Sequence, residues 1–278
     1  MTAPLLDIEN LRVTFPTSTG PVDVVRGLSF ALGRERLGIV GESGSGKSMT
    51  GRAILRLVRP PGRVTADRLH FDGIDLLAQN PRRMRLIRGA RISMVMQDPK
   101  FSLNPVMTIG AQIAEAVLTH ERVSRVDLHS RVVAMLEAVR IDDPDRVAAL
   151  YPHEVSGGMG QRVMIAMMLI PQPDVLIADE PTSALDGSVQ AQVLDIIDEQ
   201  ITSKGMGLIL ISHDLNMVAS YCERILVMYR GEVVEECRAD ALADARHPYT
   251  RGLLAAMPHI DETRDELPVL DRRAWTTP

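Results

Sequence analysis

The stretch that decides the fold of this 278-residue chain is Gly41-Glu42-Ser43-Gly44-Ser45-Gly46-Lys47-Ser48. It matches the P-loop pattern, in which a glycine and four further residues are followed by Gly-Lys-Ser or Gly-Lys-Thr. The apolar residues 37–40 come directly before it and predict a buried strand, and residues 49–58 predict the helix that follows. Strand, loop and helix in this order form the context that a phosphate-binding loop requires.

The residue types of the loop suit the binding of a nucleotide. Glycines let the backbone curl so that successive N–H groups point at phosphate oxygens, and the following helix adds the positive end of its dipole. Lys47 reaches the β- and γ-phosphates, while the Ser48 hydroxyl is placed to hold Mg²⁺. The alternative is a glycine-rich turn with a chance lysine, and the complete pattern disfavours it. The residues predicted to contact the nucleotide are Gly41, Ser43, Gly44, Ser45, Gly46, Lys47, Ser48 and Met49.

Composition argues against several classes of function. The formal net charge is -5 and aromatic residues make up only 3%, which disfavours a general nucleic-acid binder and base-stacking surfaces. Cys222 and Cys237 form neither a metal-binding spacing nor a disulfide framework, so we expect ordinary thiols in a reducing compartment. Residues 1–7 do not resemble a signal peptide, and no apolar run approaches the roughly 18 residues that span a bilayer. We therefore expect a soluble or peripheral protein.

The N-terminal region predicts antiparallel strands. Residues 6–32 have the period-two character of strands around a turn at 16–21, and residues 68–76 predict a hairpin. Phe15 lies where an aromatic ring can stack on a nucleotide base, and it can equally be a strand residue that faces the core. A short run of arginines follows, which we interpret as a solvated helix face because the whole chain is acidic. The arginines are Arg82, Arg83, Arg85, Arg88 and Arg91.

Helical stretches then interrupt the series of buried strands. Residues 92–96 predict a parallel strand, and three helices follow: one capped by Thr108, one over residues 128–139 and one that opens at Ser156. Strands and helices alternate from residue 174 onward, which is typical of a parallel sheet covered on both faces.

Together these patterns predict an α/β fold. We expect a P-loop NTPase core with a mainly parallel sheet, an antiparallel β subdomain and an inserted helical subdomain. The ATPase domain is expected to span residues 1–257, with the helical subdomain at about 100–170. Residues 258–278 are expected to form a C-terminal tail, because they are polar, proline-punctuated and without an apolar period.

Polar side chains stand at the ends of predicted strands. Asp179 and Glu180 follow a buried strand, where the first can hold Mg²⁺ through water and the second can orient or deprotonate the attacking water. Gln97 ends its own strand and can touch both Mg²⁺ and that water without adding charge. His213 ends another strand and can hold the γ-phosphate by a hydrogen bond. We therefore predict nucleotide hydrolysis, with Glu180, His213 and Gln97 as catalytic residues and with Ser48, Gln97 and Asp179 as metal ligands.

The order of these motifs resembles that of the ATP-binding cassette (ABC) ATPases over nearly the whole chain. Residues 41–48, 175–180 and 212–214 are similar to Walker A, Walker B and the switch region. The most specific match is Val-Ser-Gly-Gly-Met-Gly-Gln-Arg at 155–162, which looks like the signature motif, and residues 183–186 look like the D-loop. A serine hydroxyl, two glycine N–H groups and a helix N-terminus make an anion site. The resemblance implies that ATP and Mg²⁺ are bound, and that the signature acts on ATP held by a partner chain. The further nucleotide-contacting residues that it implies are Ser156, Gly157, Gly158 and Asp186.

A narrower resemblance is to the ATPase subunits of dipeptide, oligopeptide and nickel importers. Met159 in the signature is similar to the first of the two ATPase subunits that those systems usually encode. Gly160 departs from the pattern, since an arginine is common there. No cysteine follows Cys237, whereas several peptide-importer ATPases carry a cysteine-rich iron–sulphur segment, so no such cluster is expected. The stretches that carry the resemblance are 97–99, 102–105, 158–159, 189–192 and 247–250.

This resemblance implies a subunit that hydrolyses ATP to drive uptake of peptides, nickel or a related small solute, at the cytoplasmic face of the inner membrane of a bacterium. The expected partners are a second, related ABC ATPase subunit, two membrane permease subunits and, indirectly, a periplasmic or extracellular solute-binding protein. No nucleic acid is expected. One alternative is a soluble ABC-type ATPase not coupled to transport, for which a long coiled-coil insertion or two cassettes in one chain would be expected. A second alternative, a non-hydrolysing regulatory module, is disfavoured because Glu180 and His213 are both present.

Overall fold

The computed structural model describes residues 3–96, 102–183 and 187–256. In that part of the chain, strands build two sheets that are covered by helices. The strands are β1 Leu6–Thr17, β2 Gly20–Leu32, β3 Arg36–Val40, β4 Arg63–Thr65, β5 Arg68–Phe71, β6 Ile74–Asp75, β7 Ile92–Val95, β8 Val175–Asp179, β9 Gly207–Ser212, β10 Arg224–Tyr229 and β11 Glu232–Arg238. The α-helices are α1 Lys47–Ile54, α2 Pro81–Ile87, α3 Ile109–Leu118, α4 Arg125–Ala138, α5 Pro144–Ala149, α6 Gly157–Leu169, α7 Gly187–Lys204, α8 Leu215–Tyr221 and α9 Pro248–Ala256.

The antiparallel sheet has the strand order β2-β1-β5-β6, with β4 also paired to β1. Alternate side chains of a strand point to opposite faces, so apolar residues such as Leu6 and Ile8 turn inward from β1 and are buried. The predicted antiparallel strands are confirmed. The turn between β1 and β2 is shorter than the predicted 16–21, because the two strands remain paired until Thr17 lies opposite Gly20.

The second sheet has six strands in the order β11-β10-β3-β9-β8-β7. The five strands β10, β3, β9, β8 and β7 run parallel, and β11 adds an antiparallel edge. Every residue of β8 and β9 is buried, as expected for parallel strands covered on both faces. Val40 lies opposite Ser212 and Asp179 lies opposite Ile211, so β3, β9 and β8 end at the same edge. Ligands of open parallel sheets bind beyond this edge.

Helices α3–α6 stand between β7 and β8 in the chain. They pack on one another, and α6 also contacts the parallel sheet. Ile113 of α3, Leu136 of α4 and Val163 of α6 therefore belong to one continuous core with Leu176 of β8.

The predicted fold class is confirmed in its three parts: the mainly parallel sheet, the antiparallel sheet and the helical region. Thr108 and Ser156 cap α3 and α6, each accepting a hydrogen bond from a backbone N–H of the first turn. The proposed limits of the helical subdomain, about 100–170, remain a prediction. The predicted tail, 258–278, lies outside the described residues.

The helix after the loop is shorter than predicted. It ends at Ile54 instead of continuing through residues 49–58, because Arg56 has a left-handed backbone with φ 53° and turns the chain out of the helix. The Arg88 guanidinium donates hydrogen bonds to the carbonyl oxygens of Leu55 and Arg56. These carbonyls lack helical partners at a helix end, so Arg88 stabilises the early end of α1.

The predicted solvated face of arginines is only partly correct. Arg88 and Arg91 follow α2 and are partly buried instead of lying on its exposed face. Arg91 forms ion pairs with Asp72 and Asp174, which join the antiparallel sheet to the segment before β8. The arginines that are exposed on α2 as predicted are Arg82, Arg83 and Arg85.

Gly38 on β3 lies directly under α8, and the packing there generates a prediction. An added Cβ would lie 2.0 Å from Val218 Cγ1, whereas at Gly33 it would meet no atom within 4 Å. Gly38→Ala is therefore expected to lower the free energy of unfolding by about 1–3 kcal/mol through overpacking. Gly33→Ala, the matched control, is expected to change it by less than about 0.5 kcal/mol. Urea unfolding followed by circular dichroism measures both, and equal midpoints for the two variants would contradict this packing.

Candidate active site

The P-loop, residues 41–48, packs its backbone against both sheets. At Gly41, where φ is 153°, an added Cβ would lie 2.1 Å from the carbonyl oxygen of Met228 on β10. At Gly46, where φ is 101°, it would lie 2.6 Å from the carbonyl oxygen of Val24 on β2. Any side chain at either position would push the loop away from its sheet, so these two glycines are required by packing as well as by backbone conformation.

A cavity of about 270 Å³ opens beside the loop. We refer to it as the phosphate cavity, because the loop supplies most of its wall. Two loop residues predicted from the sequence do not line it: Ser45 is buried, and Gly41 borders a neighbouring cavity together with His213. The residues that line the phosphate cavity are Val24, Ser43, Gly44, Gly46, Lys47, Ser48, Met49 and Glu180.

Phe15 lies beside the phosphate cavity. Its ring packs against Gly62, and it borders a second cavity of about 570 Å³ together with Arg52 and Met96. Met49 lines both cavities, so the two adjoin at this residue. Phe15 is half-buried and packs partly on the core, so contact with a nucleotide base and a place in the core are both compatible with its position.

Lys47 is the buried cation of the site. It is 6% exposed, and its Nζ donates to the carbonyl oxygens of Gly41 at 2.7 Å and Glu42 at 2.9 Å. An ammonium group has three N–H donors, so one donor remains for a phosphate oxygen. Burial lowers the pKa of Lys47, and the carboxylates of Glu180, Asp179 and Glu42 oppose this shift.

Ser48 and Asp179 join α1 to the end of β8. The Ser48 hydroxyl donates to Asp179 Oδ1 at 2.7 Å. Asp179 is 4% exposed, and burial raises its pKa, while the hydrogen bond from Ser48 and the charge of Arg52 act in the opposite direction. A hydroxyl and a carboxylate are the oxygen donors that Mg²⁺ prefers, so this pair fits the ion chemically. Within the described ranges no three His, Cys, Asp or Glu side chains form a metal cage, and a Mg²⁺ site that keeps waters and phosphate ligands needs none.

Glu180 and His213 contact each other beyond the ends of β8 and β9. His213 Nδ1–H donates to Glu180 Oε2 at 2.7 Å. The side chain of Glu180 is 14% exposed, whereas that of His213 is 62% exposed. Glu180 also has a left-handed backbone, with φ 50°, and its N–H donates to the Ile211 carbonyl oxygen at 2.9 Å. The carboxylate at the wall of the phosphate cavity is therefore held both by its backbone and by the histidine.

Two glutamines to which the sequence analysis gave no role hold the turn after Glu180. Gln161 on α6 donates from Nε2 to the carbonyl oxygen of Pro181, and Gln190 on α7 donates to that of Thr182 at 3.1 Å. Gln161 lies on an otherwise apolar face of α6, and a buried amide requires a hydrogen-bond partner. Its position in the sequence therefore indicated a buried hydrogen bond. The sequence did not indicate that the carbonyl oxygen of Pro181 is the partner.

The signature residues lie away from the phosphate cavity of their own chain. Ser156 caps α6, and both it and Gly157 are exposed, while Gly158 is half-buried. None of the three is among the residues that line the phosphate cavity. An added Cβ on Gly157 would meet no atom within 4 Å, so the N-terminus of α6 is accessible to a group that approaches from outside.

The structure thus brings most of the predicted site residues to one edge of the parallel sheet. Lys47, Ser48 and Glu180 line one cavity, and Asp179 contacts Ser48 behind it. Gln97 and Asp186 lie outside the described residues, so their predicted roles stay predictions.

Known proteins are similar to this chain in sequence and in fold. Residues 25–183 match the family described as ABC transporter. The chain is 46% identical over 270 residues to the dipeptide transport ATP-binding protein DppD of Bacillus subtilis, covering 96% of this chain and 81% of that protein. It is 44% identical over 265 residues to the oligopeptide transport ATP-binding protein OppD of the same organism, covering 94% and 74%. A solved dimeric, post-hydrolysis structure of the ATP-binding cassette MJ0796, bound to ADP and Pi, has a TM-score of 0.74 and 27% identity over 84% of this chain and 98% of that chain.

The chain belongs to the ABC transporter family. Its sequence resemblance to the ABC ATPases is confirmed, and so is its narrower resemblance to peptide-importer ATPases. The enzyme is an ABC-type ATPase, which hydrolyses ATP to ADP and phosphate.

Lys47→Ala is expected to abolish measurable ATP hydrolysis, by at least roughly 100-fold, and to weaken nucleotide binding. The reason is that Lys47 is the one positive side chain among the described residues that line the phosphate cavity. Lys204→Ala, on the exposed end of α7, is the control and is expected to change neither quantity. Phosphate release and isothermal titration with ATP measure both. Near-normal hydrolysis by Lys47→Ala would remove the P-loop assignment.

Proposed function

We propose that this chain is the ATP-hydrolysing subunit of a bacterial importer for peptides, or for nickel or a related small solute. The supporting observation is its likeness to dipeptide and oligopeptide transport ATP-binding proteins, which extends over most of the length of both chains. A likeness confined to the P-loop would support only nucleotide binding, since P-loops occur in many other ATPases.

The proposed chemistry uses groups that already contact one another. Glu180 accepts a proton from the water that attacks the γ-phosphorus of ATP, and the bond between that phosphorus and the bridging oxygen of ADP breaks. His213 holds the Glu180 carboxylate through Nδ1–H. Its other ring nitrogen, Nε2, is proposed to contact the γ-phosphate. Lys47 places its third N–H donor on the β- and γ-phosphate oxygens.

The proposed metal ligands are Ser48, Asp179 and Gln97. When bound, Mg²⁺ supplies positive charge that neutralises the phosphate oxygens. The hydrogen bond from Ser48 to Asp179 holds two oxygen donors side by side, while Gln97 is included on its sequence position alone. Phe15 is proposed to contact the base, because its cavity adjoins the phosphate cavity at Met49.

The second half of each ATP site is proposed to come from a partner ATPase, most simply a related but different subunit. The exposed N-terminus of α6, with Ser156, Gly157 and Gly158, would then face the γ-phosphate held by the partner's P-loop. Asp186 of the D-loop is proposed, from the family resemblance, to contact the nucleotide as well. Solved ABC cassettes of similar fold form dimers, which supports the pairing.

The remaining proposed partners are two membrane permease subunits and, through them, a periplasmic or extracellular solute-binding protein; no nucleic acid is included. The chain would act at the cytoplasmic face of the inner membrane as a peripheral subunit. No helix in the described residues is both long enough and apolar enough to cross a bilayer. Attachment to the membrane is proposed to occur through the permeases.

Glu180→Gln separates binding from chemistry. It keeps the shape of the side chain but removes the base, so turnover should drop by roughly 10²–10⁴-fold while ATP still binds. With the partner subunit present, the ATPase pair should then remain closed around ATP. Single-turnover kinetics and light scattering with Mg²⁺ and ATP measure the two effects. An unchanged single-turnover rate would show that Glu180 is not the base.

Two matched variants control this experiment. Glu232→Gln, at an exposed position on β11, should leave turnover unchanged. Ser156→Arg, added to Glu180→Gln, should prevent the ATP-dependent pairing, because it places a bulky cation where the partner's γ-phosphate must lie. A homodimer of the unsubstituted chain that hydrolyses ATP as fast as the complete transporter would contradict the need for a different partner.

The transport assignment is tested with the complex. The tagged chain is co-purified with its membrane partners and reconstituted in lipid vesicles, and ATPase activity is measured with and without a mixture of dipeptides and oligopeptides plus the solute-binding protein. Stimulation by peptide, lost with Glu180→Gln, is the expected result. A chain that hydrolyses ATP but never associates with permeases would instead favour a soluble ABC ATPase not coupled to transport.

A further inference from the structure

A residue near the C-terminal end of the described chain contacts the P-loop on the side away from the phosphate cavity. The backbone N–H of Glu42 donates a hydrogen bond to the phenol oxygen of Tyr249 at 2.9 Å, between residues 207 positions apart in the sequence. Tyr249 is fully buried near the start of α9. Its ring packs on Tyr229 of β10, with ring centroids 4.4 Å apart.

The contact is made to a peptide unit whose other edge binds Lys47. The Gly41 carbonyl and the Glu42 N–H belong to one trans peptide unit, so they point in opposite directions from one rigid plane. Gly41 O accepts from Lys47 Nζ at 2.7 Å, and Glu42 N–H donates to Tyr249. Lys47 and Tyr249 therefore hold opposite edges of the same plane, and a rotation that breaks one contact also disturbs the other.

The helix that carries Tyr249 is itself fixed to the sheet. The carboxylate of Glu235 on β11 accepts hydrogen bonds from the backbone N–H groups of Arg246 at 2.6 Å and His247 at 3.3 Å, just before α9 begins. One turn further along α9, Leu253 borders the cavity that Gly41 also borders. The Tyr249 hydroxyl therefore contacts the loop from a helix whose start is held by hydrogen bonds to Glu235.

We propose that Tyr249 is a positioning residue of the nucleotide site, whose hydroxyl fixes the Gly41–Glu42 peptide and thereby the place of the Lys47 ammonium. The inference rests on the proposed function of the P-loop and extends it to a residue remote in sequence. Tyr249 is not among the residues that line the phosphate cavity, so it acts through the loop. A purely structural role would require only the aromatic ring, since the ring supplies the packing against Tyr229.

The test removes the hydroxyl and keeps the ring. Tyr249→Phe in the full 278-residue chain is expected to bind ATP roughly 3- to 10-fold more weakly, the effect of one neutral hydrogen bond. The matched control is Tyr229→Phe, because within the described ranges the Tyr229 hydroxyl is buried without a hydrogen-bond partner. This control should leave the affinity unchanged. Unchanged affinity in Tyr249→Phe, or equal weakening in both variants, would overturn the proposal.

A double-mutant cycle with Lys47→Ala tests the route of the effect. Affinities are measured by competition with a fluorescent ATP analogue, up to millimolar nucleotide. If Tyr249 acts through Lys47, then Tyr249→Phe should weaken binding less than about 2-fold further in the Lys47→Ala background. Fully additive losses would overturn the proposal. The cycle needs only nucleotide and this chain, so its result does not depend on transport. If peptide has no effect in the transport assay, the importer assignment is rejected while the proposal for Tyr249 still stands.

Amide hydrogen exchange of the unsubstituted chain tests the same contact without a variant, which covers the case that Tyr249→Phe does not fold. The Glu42 amide should be protected in the absence of nucleotide, because its acceptor is fully buried. Exchange at the rate of an exposed loop amide would overturn the proposal.

Discussion

The parallel register of β3, β9 and β8 is the constraint on which the site depends. Because Val40 lies opposite Ser212 and Asp179 lies opposite Ile211, the three strands end at one level of the sheet. The turns that follow these strand ends carry the P-loop, Glu180 and His213. The hydrogen bonds from Ser48 to Asp179 and from His213 to Glu180 then cross between neighbouring turns.

Burial at this edge of the sheet shifts the pKa values of two charged side chains of the site. Burial lowers the pKa of Lys47 and raises the pKa of Asp179, because the low-dielectric surroundings disfavour the charged form of each group. Lys47 donates to two carbonyl oxygens, and Asp179 accepts from a hydroxyl. These hydrogen bonds offset part of the cost of burying the two groups. These hydrogen bonds hold both side chains in place before a nucleotide arrives, so the site is preorganised for anionic phosphate.

The sequence predicted the fold class and the neighbourhood of the site because both depend on local patterns. Apolar runs that end in polar residues are visible along the chain, and Asp179 and His213 were located in this way. Contacts between residues distant in sequence were not predictable: the caps that Arg88 places on α1, the amide of Gln161 under the turn after Glu180, and the phenol of Tyr249 behind the loop. Periodicity indicates which face is buried, but it carries no information on which polar partner lies across from a given side chain.

The backbone conformation of Glu180 affects which substitutions are favoured at this position. Its φ of 50° lies in the left-handed region, which costs a residue with a Cβ roughly 1–2 kcal/mol and which glycine adopts freely. The glutamate therefore occupies a position at which the fold itself favours another residue. Under selection for thermal stability alone, Glu180→Gly would relieve this backbone strain. If Glu180 is the base, as proposed above, the same change would stop hydrolysis. On that proposed role, a screen for thermostable variants would have to select ATP turnover at the same time to keep the glutamate.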